Sequence, residues 1–407
     1  MKVLLYGINY APELTGIGKY SGELSAWLAA RGHEVRVVTT PPYYPDWQVL
    51  KPYYNRYHTE EIEGTRVLRC PLYVPSQVST LKRLLHLASF ALSSLPLMLA
   101  QMFWKPDVVI CVVPSLFCVP MAWLTARLSV AKLVVHVQDY EVDAMLGLNM
   151  SGGNLVTRLA RWFERCSLKS ADLLSTISHS MMARTQTKGV APNRVLFFPN
   201  WSEVSRFLSV TNTQKENLRQ RLTLPADKKL CLYSGNIGEK QGLENVLAAA
   251  NILHDHAIIF LLVGQGVGLA TLKQRTEDMS LSNVRFLPLQ PWEDLPALLS
   301  LADCHLVIQR RGVADAVLPS KLTNILAIGG QALITAEANT ELGSLCRKNP
   351  GIAELVEPED IQQLVTGIRN VLAKPAYNKI AQDYAQKYLD KEQVLDKFEQ
   401  DLFNLIN

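Results

Sequence analysis

Three short segments in the second half of the chain carry residues that are suited to holding a diphosphate. They are residues 234–242, with Gly235, Asn236 and Lys240; residues 264–266, beginning with Gly264; and the triplet Pro319-Ser320-Lys321. The first two follow apolar runs typical of buried strands, and the third opens a helix-like stretch whose first amides are free to bind an anion. Glycine lets the backbone approach a ligand closely, and lysine is a compact cation that suits phosphate. The pattern predicts a phosphate-binding edge.

Lysine has to provide the positive charge of this edge. The sequence has no Asp-rich motif of the kind that binds a divalent ion. Its seven cysteines are scattered, and several lie within apolar runs, so we interpret them as reduced core residues. We therefore expect no metal and no other cofactor. Lys240 and Lys321 are assigned a catalytic role, because each would stabilise negative charge that develops on a leaving diphosphate.

The elements that must position these segments form a regular alternation of short apolar runs and amphipathic stretches. In the first half, strands are predicted at 2–8, 34–39, 107–113, 132–137, 172–177 and 194–198. In the second half, they are predicted at 229–233, 257–263, 284–287, 304–308, 332–335 and 353–356. Such alternation indicates parallel sheets with helices on both faces, whose ligands bind outside the carboxyl ends of the strands.

The chain divides most naturally at a turn-rich segment, residues 199–202. At 407 residues it exceeds one ordinary core, so two doubly wound domains are expected, at 1–200 and 201–374. Residues 375–407 are predicted to form helices that cross back to the first domain. A hydrophobic content of 48% argues against disorder, and a net charge of +4 gives no reason to expect nucleic acid as a partner. The first residues lack a signal-peptide pattern, so we expect a cytoplasmic location.

One apolar segment, residues 84–104, is long enough to span a bilayer and contains no charged side chain. Serines, a proline, a histidine and a glutamine dilute it, and it lies inside the strand–helix alternation. It is therefore expected either to be buried on the sheet or to lie in the membrane interface. Lys82, Arg83 and Lys105 flank the segment and suit attraction to anionic headgroups. We expect a peripheral protein on the inner face of the cytoplasmic membrane.

The order and spacing of these motifs resemble a known family over essentially the whole chain. In the first half the match consists of Pro12, Gly16 and Gly18, followed by the Arg-Gly-His-Glu-Val run at 31–35. In the second half it consists of the three segments described above. The chain is similar to the retaining glycosyltransferases of family 4, which have the GT-B fold, an α/β architecture of two doubly wound Rossmann-like domains facing each other across a cleft. The resemblance implies transfer of a hexosyl unit from a nucleoside-diphosphate sugar to an acceptor hydroxyl.

The resemblance also implies which residues would hold the two substrates. The donor residues, most of them in the second domain, would be Gly16, Gly18, Gly235, Asn236, Lys240, Gly264, Trp292, Arg310, Pro319, Ser320, Lys321 and Asn324. The acceptor residues in the first domain would be Gln138 and Asp139. The aromatic side chains themselves add Tyr43 and Tyr44, whose rings could stack on a sugar. Asp139 would orient or deprotonate the acceptor hydroxyl, and Ser320 would cap its helix. Trp292 could instead pack in the core, and Asp139 could instead cap a helix or turn. The two tyrosines could equally lie at a lipid headgroup layer or serve only loop packing.

Several positions depart from the family pattern. Many members carry two glutamates eight residues apart in the donor domain, where this chain has Ala316 and Asn324. Asn236 stands where many relatives have an arginine, so Lys240 and Lys321 must carry more of the charge. Gln138-Asp139 replaces the family's His-Asp pair, and His136, two residues earlier, is expected to be a core histidine that faces the same side as Gln138.

More narrowly, the chain resembles members of the family that build bacterial exopolysaccharide of the colanic acid type. That resemblance favours GDP-fucose as the donor over a UDP-sugar. The apolar segment 84–104 with its basic flanks suggests a lipid-linked saccharide as the acceptor. Two other classes share the layout: a nucleotide-sugar epimerase and a non-catalytic two-domain sugar-binding protein. The epimerase would need no acceptor, and the binding protein would be expected to carry an export signal and would not need two lysines at the same edge.

Overall fold

The computed structural model describes residues 1–13, 16–76, 79–143, 154–312 and 319–407. These residues divide into two compact units, each with its own sheet. Unit 1 comprises Met1–Phe198 together with Leu395–Asn407, and unit 2 comprises Pro199–Val394.

Unit 1 is built on an eight-stranded sheet. Its strands are β1 (Lys2–Tyr6), β2 (Glu34–Thr39), β3 (His58–Ile62), β4 (Thr65–Arg69), β5 (Val108–Val113), β6 (Lys132–Val137), β7 (Leu173–Thr176) and β8 (Val195–Phe197). They lie in the order β3-β4-β2-β1-β5-β6-β7-β8, with β3 antiparallel to β4 and the other neighbours parallel. Every residue of β5 is buried, as expected for a parallel strand covered on both faces. The strand order reverses between β1 and β5, which is where such sheets bind ligands.

The helices of unit 1 connect these strands. They are α1 (Gly16–Ala30), α2 (Thr80–Ser93), α3 (Leu95–Trp104), α4 (Val119–Ser129), α5 (Asn154–Ser170) and α6 (His179–Thr187).

The long apolar segment of the sequence forms α2 and α3, which meet at Ser94. By length and composition Leu81–Trp104 could cross a membrane. In the structure its inner face packs on the sheet, because Phe90 is fully buried and the Ser94 hydroxyl hydrogen-bonds the Tyr6 hydroxyl of β1. Its outer face is open, and Phe103 is 89% exposed. The segment is thus buried on one side and apolar on the surface on the other.

Unit 2 is built on a six-stranded parallel sheet. Its strands are β9 (Lys229–Ser234), β10 (Ile258–Val263), β11 (Val284–Leu287), β12 (Cys304–Val307), β13 (Ala332–Thr335) and β14 (Glu354–Val356). They lie in the order β11-β10-β9-β12-β13-β14, the order of a Rossmann-like sheet. Apolar clusters cover both faces, with Leu232 and Leu261 in one and Tyr233 and Phe260 in the other.

The helices of unit 2 alternate with its strands. They are α7 (Val204–Leu208), α8 (Asn212–Arg221), α9 (Glu244–Ile252), α10 (Leu269–Asp278), α11 (Leu295–Ser300), α12 (Ser320–Ala327), α13 (Glu341–Lys348), α14 (Ile361–Leu372) and α15 (Lys379–Tyr388).

The last helix, α16 (Lys391–Ile406), belongs to unit 1 from Leu395 onward. Glu399 is buried there, and its carboxylate accepts a hydrogen bond from the Arg31 guanidinium at 2.8 Å and lies 2.6 Å from His33 Nε2. Burial opposes the charge on Glu399, yet these partners hold the pKa of its carboxyl below the usual range. The Phe398 ring stacks on Phe198 with 3.8 Å between ring centres. Both charge and apolar contact therefore fix this helix in unit 1.

The structure confirms the predicted strands, with ends that differ by up to a few residues. The sequence pattern predicts neither the hairpin β3–β4 nor α8. The hairpin turns at Glu63-Gly64, where both residues have positive φ, as tight hairpin turns require. The signal for α8 is a capping box between Thr211 and Gln214, which lies in a polar stretch without apolar periodicity.

Candidate functional site

The carboxyl ends of β9 and β10 lie side by side, and the loops that follow them touch. A Cβ atom on Gly264 would lie 1.9 Å from the Gly235 carbonyl oxygen. A Cβ atom on Gly266 would lie 2.3 Å from the Ile237 carbonyl oxygen, and Gly266 has a φ of +150°. Glycine alone tolerates such an approach.

Hydrogen bonds fix these two loops to each other. The Ile237 N–H donates to the Gln265 carbonyl at 2.8 Å, and the Gly268 N–H donates to the Ile237 carbonyl at 3.0 Å. The Tyr233 hydroxyl donates to the Asn236 carbonyl, and the Asn236 residue itself is exposed. The first two predicted segments therefore form one edge of the sheet.

The third predicted segment opens α12 and meets the first. Pro319 is the N-cap and the helix begins at Ser320, whose side chain makes no capping hydrogen bond. The prediction that Ser320 caps this helix is therefore wrong, because the residue already has helical geometry. The Lys321 ammonium lies 3.9 Å from the centre of the Tyr233 ring and 3.5 Å from where a Cβ of Gly235 would be.

Lys321 has a strongly shifted pKa. Burial lowers the pKa of its ammonium to about 7. Within the part of the chain that the structure describes, the ammonium contacts the Tyr233 ring and pairs with no carboxylate. A bound anion would raise the lysine pKa again, because nearby negative charge favours the protonated form. The position suits a group that becomes fully charged when an anionic ligand binds.

Two pockets open at this edge of unit 2. The smaller has a volume of about 150 Å³, and its lining includes Ser234, His305, Lys321 and Asn324. The larger has a volume of about 630 Å³, and its lining includes Lys240. The larger volume lies within the usual range for small-molecule sites, a few hundred to about 1,000 Å³. Each pocket thus contains one of the two predicted lysines.

The polar groups around the smaller pocket are neutral apart from its lysine. His305 is 1% exposed, neither ring nitrogen has a hydrogen-bond partner among the described residues, and burial lowers its pKa to about 4. Asn324 accepts a hydrogen bond from the Ser202 hydroxyl at 2.9 Å. Trp292, elsewhere in the same unit, is 41% exposed with the Arg206 guanidinium 5.2 Å from its ring centre.

Arg310 supports the loop that bears Lys240. Its backbone N–H donates to the Lys240 carbonyl at 3.1 Å, and its guanidinium donates to the Glu239 carbonyl at 2.6 Å. The same guanidinium forms an ion pair with Glu244. A carboxylate therefore balances the Arg310 charge, whereas Lys240 is exposed and makes no such pair among the described residues.

In unit 1 the predicted glycines lie at the start of α1. Gly16 has a φ of +62°, and a Cβ on Gly18 would lie 2.5 Å from a carboxylate oxygen of Glu13. The sequence pattern does not predict a role for Glu13, which is 3% exposed. Its carboxylate accepts hydrogen bonds from the backbone N–H groups of Tyr43 at 3.1 Å and Tyr44 at 3.0 Å. Glu13 thus joins the loop after β1 to the tyrosine-rich loop.

The two predicted acceptor tyrosines have different surroundings. Tyr43 is 4% exposed, its hydroxyl lies 2.9 Å from His86 Nε2, and its ring packs 5.8 Å from that of Trp47. Tyr44 is 40% exposed, and its ring lies 3.9 Å from where a Cβ of Gly16 would be. Tyr43 serves loop packing, and Tyr44 has a surface to offer a ligand.

Gln138 and Asp139 follow β6, with Asp139 exposed. Gln138 Nε2 lies 2.9 Å from His136 Nε2, so both side chains are on the same face, as predicted. His136 Nδ1 is 2.9 Å from the Ser175 hydroxyl, and burial lowers its pKa to about 3. The prediction that His136 is a hydrogen-bonded core histidine is confirmed.

Glu141 is a candidate that the sequence analysis does not identify. It is 4% exposed and lies 3.5 Å from the Arg83 guanidinium of α2. Burial raises its pKa to about 7, with Arg83 lowering it and Asp139 raising it. A carboxyl group that titrates near neutral pH suits proton transfer. The missed signal is the cluster of three acidic residues just after a buried strand.

Ala316, which stands at one of the family's glutamate positions, lies outside the described residues.

Comparisons with known proteins agree with this geometry. Residues 15–201 match a family model described as a glycosyl transferase 4-like domain, and residues 214–388 match glycosyl transferases group 1. The colanic acid biosynthesis glycosyl transferase WcaI of Escherichia coli (strain K12) is 59% identical over 99% of this chain and 100% of that protein. The chain therefore belongs to the same glycosyltransferase family as WcaI.

Solved structures show the fold. Sucrose-phosphate synthase from Thermosynechococcus elongatus superposes with a TM-score of 0.75 at 18% identity, over 100% of this chain and 99% of that one. Alr3699/HepE of Anabaena in complex with UDP gives 0.70 at 13% identity, over 99% and 100% of the two chains. The predicted GT-B fold class is confirmed. Family membership also favours a transferase over the epimerase and the binding protein.

Replacing Gly264 with alanine in this transferase is expected to disrupt the edge, because the new methyl group would overlap the Gly235 carbonyl. Overpacking of this kind costs about 1–3 kcal/mol, so the melting temperature should fall by several degrees. Gly268→Ala is the matched control, since its Cβ would meet its nearest atom at 3.2 Å. Thermal unfolding of both variants is the measurement. Equal melting temperatures would contradict the steric account.

The affinity for a nucleoside diphosphate should depend on pH through Lys321. Because its pKa in the free protein is about 7 and a bound diphosphate favours the ammonium, binding takes up a proton and weakens as pH rises. Between about pH 7 and pH 9 the Kd should rise by roughly tenfold or more. Lys321→Arg stays charged and should flatten the profile. Calorimetric titrations across this range would refute the idea if wild type and variant gave parallel curves.

Proposed function

We propose that this transferase moves a hexosyl unit from a nucleoside-diphosphate sugar to an acceptor hydroxyl with retention of anomeric configuration. The observation that carries the proposal is the position of Lys321. Its ammonium lies against the Tyr233 ring and beside Gly235, at an edge built from two close glycine loops. A desolvated cation without a carboxylate among the described residues suits an anionic ligand, and a diphosphate offers that charge.

The chemistry of transfer gives these groups their role. Breaking the bond between the anomeric carbon and the diphosphate leaves negative charge on the diphosphate and positive charge on the sugar ring. Lys321 and the first amides of α12 would stabilise the diphosphate charge as it forms. Lys240, exposed on the loop that Arg310 holds, would do the same from the larger pocket. Asn236 and Asn324 would add neutral hydrogen bonds.

For the donor we propose GDP-fucose, used in exopolysaccharide biosynthesis of the colanic acid type. The support is the 59% identity to WcaI, which is named for colanic acid biosynthesis. A structurally similar protein, HepE, was solved in complex with UDP-glucose, so that donor is the natural competitor. Thermal shift with GDP, UDP and ADP, followed by transfer assays with GDP-fucose and UDP-glucose, would decide between them. Sugar conversion without any acceptor would instead indicate an epimerase.

For the acceptor we propose a lipid-linked saccharide, bound by unit 1 at the inner face of the cytoplasmic membrane. Asp139, exposed after β6, and the nearby Glu141 offer carboxyl groups to an acceptor hydroxyl. The same unit exposes the apolar outer face of α2 and α3. Arg83 links the two features, because it lies on α2 with its guanidinium 3.5 Å from Glu141.

Lys240→Ala and Lys321→Ala should each lower turnover at saturating donor by about two orders of magnitude, or roughly 3 kcal/mol, through lost stabilisation of the leaving diphosphate. The control is Lys273→Ala, an exposed lysine on α10 of the same unit. Steady-state transfer rates are the measurement. Near-normal rates in both test variants would remove this edge from the mechanism.

Asp139→Asn should lower transfer by about tenfold or more while nucleotide affinity stays close to wild type, because Asp139 belongs to unit 1 and the lysines to unit 2. Asp46→Asn, an exposed carboxylate in the same unit, is the control. Transfer kinetics and nucleotide titration should be measured on the same preparations. Parallel loss of both properties would assign Asp139 to folding or to the donor instead.

A further inference from the structure

Three helices of unit 1 carry an apolar surface that the described residues leave exposed. α3 packs against α4, and α4 packs against α5. Their outward side chains, here called the α3–α5 face, are Leu99, Phe103, Trp123, Leu128, Leu155, Leu159 and Trp162. Each is at least 41% exposed. Apolar surface on this scale usually marks a site of interaction.

α5 shows how this face is built. At the helical repeat of about 100° per residue, Leu155, Leu159 and Trp162 fall within roughly 60° of one another. Glu164 and Leu168 lie on the opposite side, and both are buried. The helix therefore contacts the core with one side and turns a separate apolar stripe outward. Packing among the described residues of unit 1 does not explain that stripe.

Exposed arginines lie on one side of the apolar stripe of α5. Arg158, Arg161 and Arg165 are exposed, and none forms an ion pair with a carboxylate among the residues that the structure describes. The one acidic residue within α5, Glu164, is buried and pairs with Lys188 at 2.6 Å. The exposed surface of α5 thus combines apolar side chains with positive charge and has no negative charge of its own.

We infer that the α3–α5 face docks on an anionic lipid surface. The apolar stripe would enter the boundary between headgroups and acyl chains, and the arginines would meet headgroup phosphates. The inference deepens the proposed membrane location, on which it rests, by assigning lipid contact to α4 and α5 as well as to α3. A second copy of the chain fits less well, because a symmetric contact would bring arginines against arginines.

The charge contribution can be tested with vesicles of phosphatidylcholine with and without phosphatidylglycerol. The intact chain should bind the anionic vesicles more strongly. Arg158→Gln, Arg161→Gln and Arg165→Gln together should lower that partition coefficient about a hundredfold, since each basic residue near an anionic surface contributes roughly fivefold. The matched control removes the same charge from unit 2 by changing exposed Lys273, Lys348 and Lys379 to glutamine. Equal losses in the two triple variants would overturn the inference.

Insertion of the apolar stripe has a natural reporter. Cys166 is an exposed free cysteine on α5, four residues after Trp162, whereas five of the other six cysteines are buried. An environment-sensitive fluorophore on Cys166 should shift to the blue when anionic vesicles are added. Leu159→Ser with Trp162→Ser should abolish the shift, and because both side chains are more than half exposed the fold should persist. An unchanged spectrum upon vesicle binding would place the contact elsewhere and overturn the inference.

These outcomes separate the lipid face from the transfer reaction. The arginine triple variant should bind nucleotide like the wild type, and Lys321→Ala should bind vesicles like the wild type. Loss of transfer activity in every assay with normal vesicle binding would count against the proposed function alone. Sedimentation equilibrium without lipid tests whether the face instead binds a second copy of the chain. If the chain does not bind vesicles but self-associates, and the arginine variant does not self-associate, a second copy is the partner and the inference is wrong.

Discussion

The ligand-facing edge of unit 2 depends on a steric constraint. The loops after β9 and β10 lie so close together that there is no room for a side chain between them. β9 and β10 are neighbouring parallel strands, and Ser234 pairs with Val263 at their ends. Both loops therefore start about 5 Å apart and must either diverge or touch. Gly264 allows them to touch, since a Cβ there would lie 1.9 Å from a backbone oxygen. Lys321 then approaches the same loop from α12, with its ammonium over the Tyr233 ring.

The charges at this edge are few and concentrated. Asn236 and Asn324 are neutral where many family members are charged, and Glu244 balances Arg310. Lys321 and Lys240 therefore provide the positive charge of the predicted segments, and exposed Arg275 adds a guanidinium to the lining of the larger pocket. Because the Lys321 pKa is about 7, the free protein avoids part of the cost of burying a full charge. Binding of an anionic ligand would then restore the proton, so that charge neutralisation would accompany occupancy of the site.

Apolar periodicity and motif spacing predict the strands, the GT-B fold class and the edge that holds the glycine loops, because these depend on local patterns. Features that depend on tertiary partners are less accessible. The sequence suggests that Tyr43 is an exposed aromatic residue of a loop, whereas in the structure it is buried and contacts His86 and Glu13. Glu141 belongs to an acidic cluster that is visible in the sequence, but the burial that raises its pKa depends on tertiary contacts. The outward stripe of α5 is equally hidden, because amphipathic periodicity does not tell which apolar side faces the core.

The placement of α16 has a consequence for synthesis of the chain. Glu399 and Phe398 complete unit 1 by contacts to Arg31, His33 and Phe198, yet they follow all of unit 2 in the sequence. At a translation rate of about 5–20 residues per second, the roughly 200 intervening residues take on the order of 10–40 s to emerge. Throughout that interval the nascent first unit exposes an apolar seam at Phe198 that chaperones would recognise. Unit 2 can therefore finish folding before the unit that was translated first.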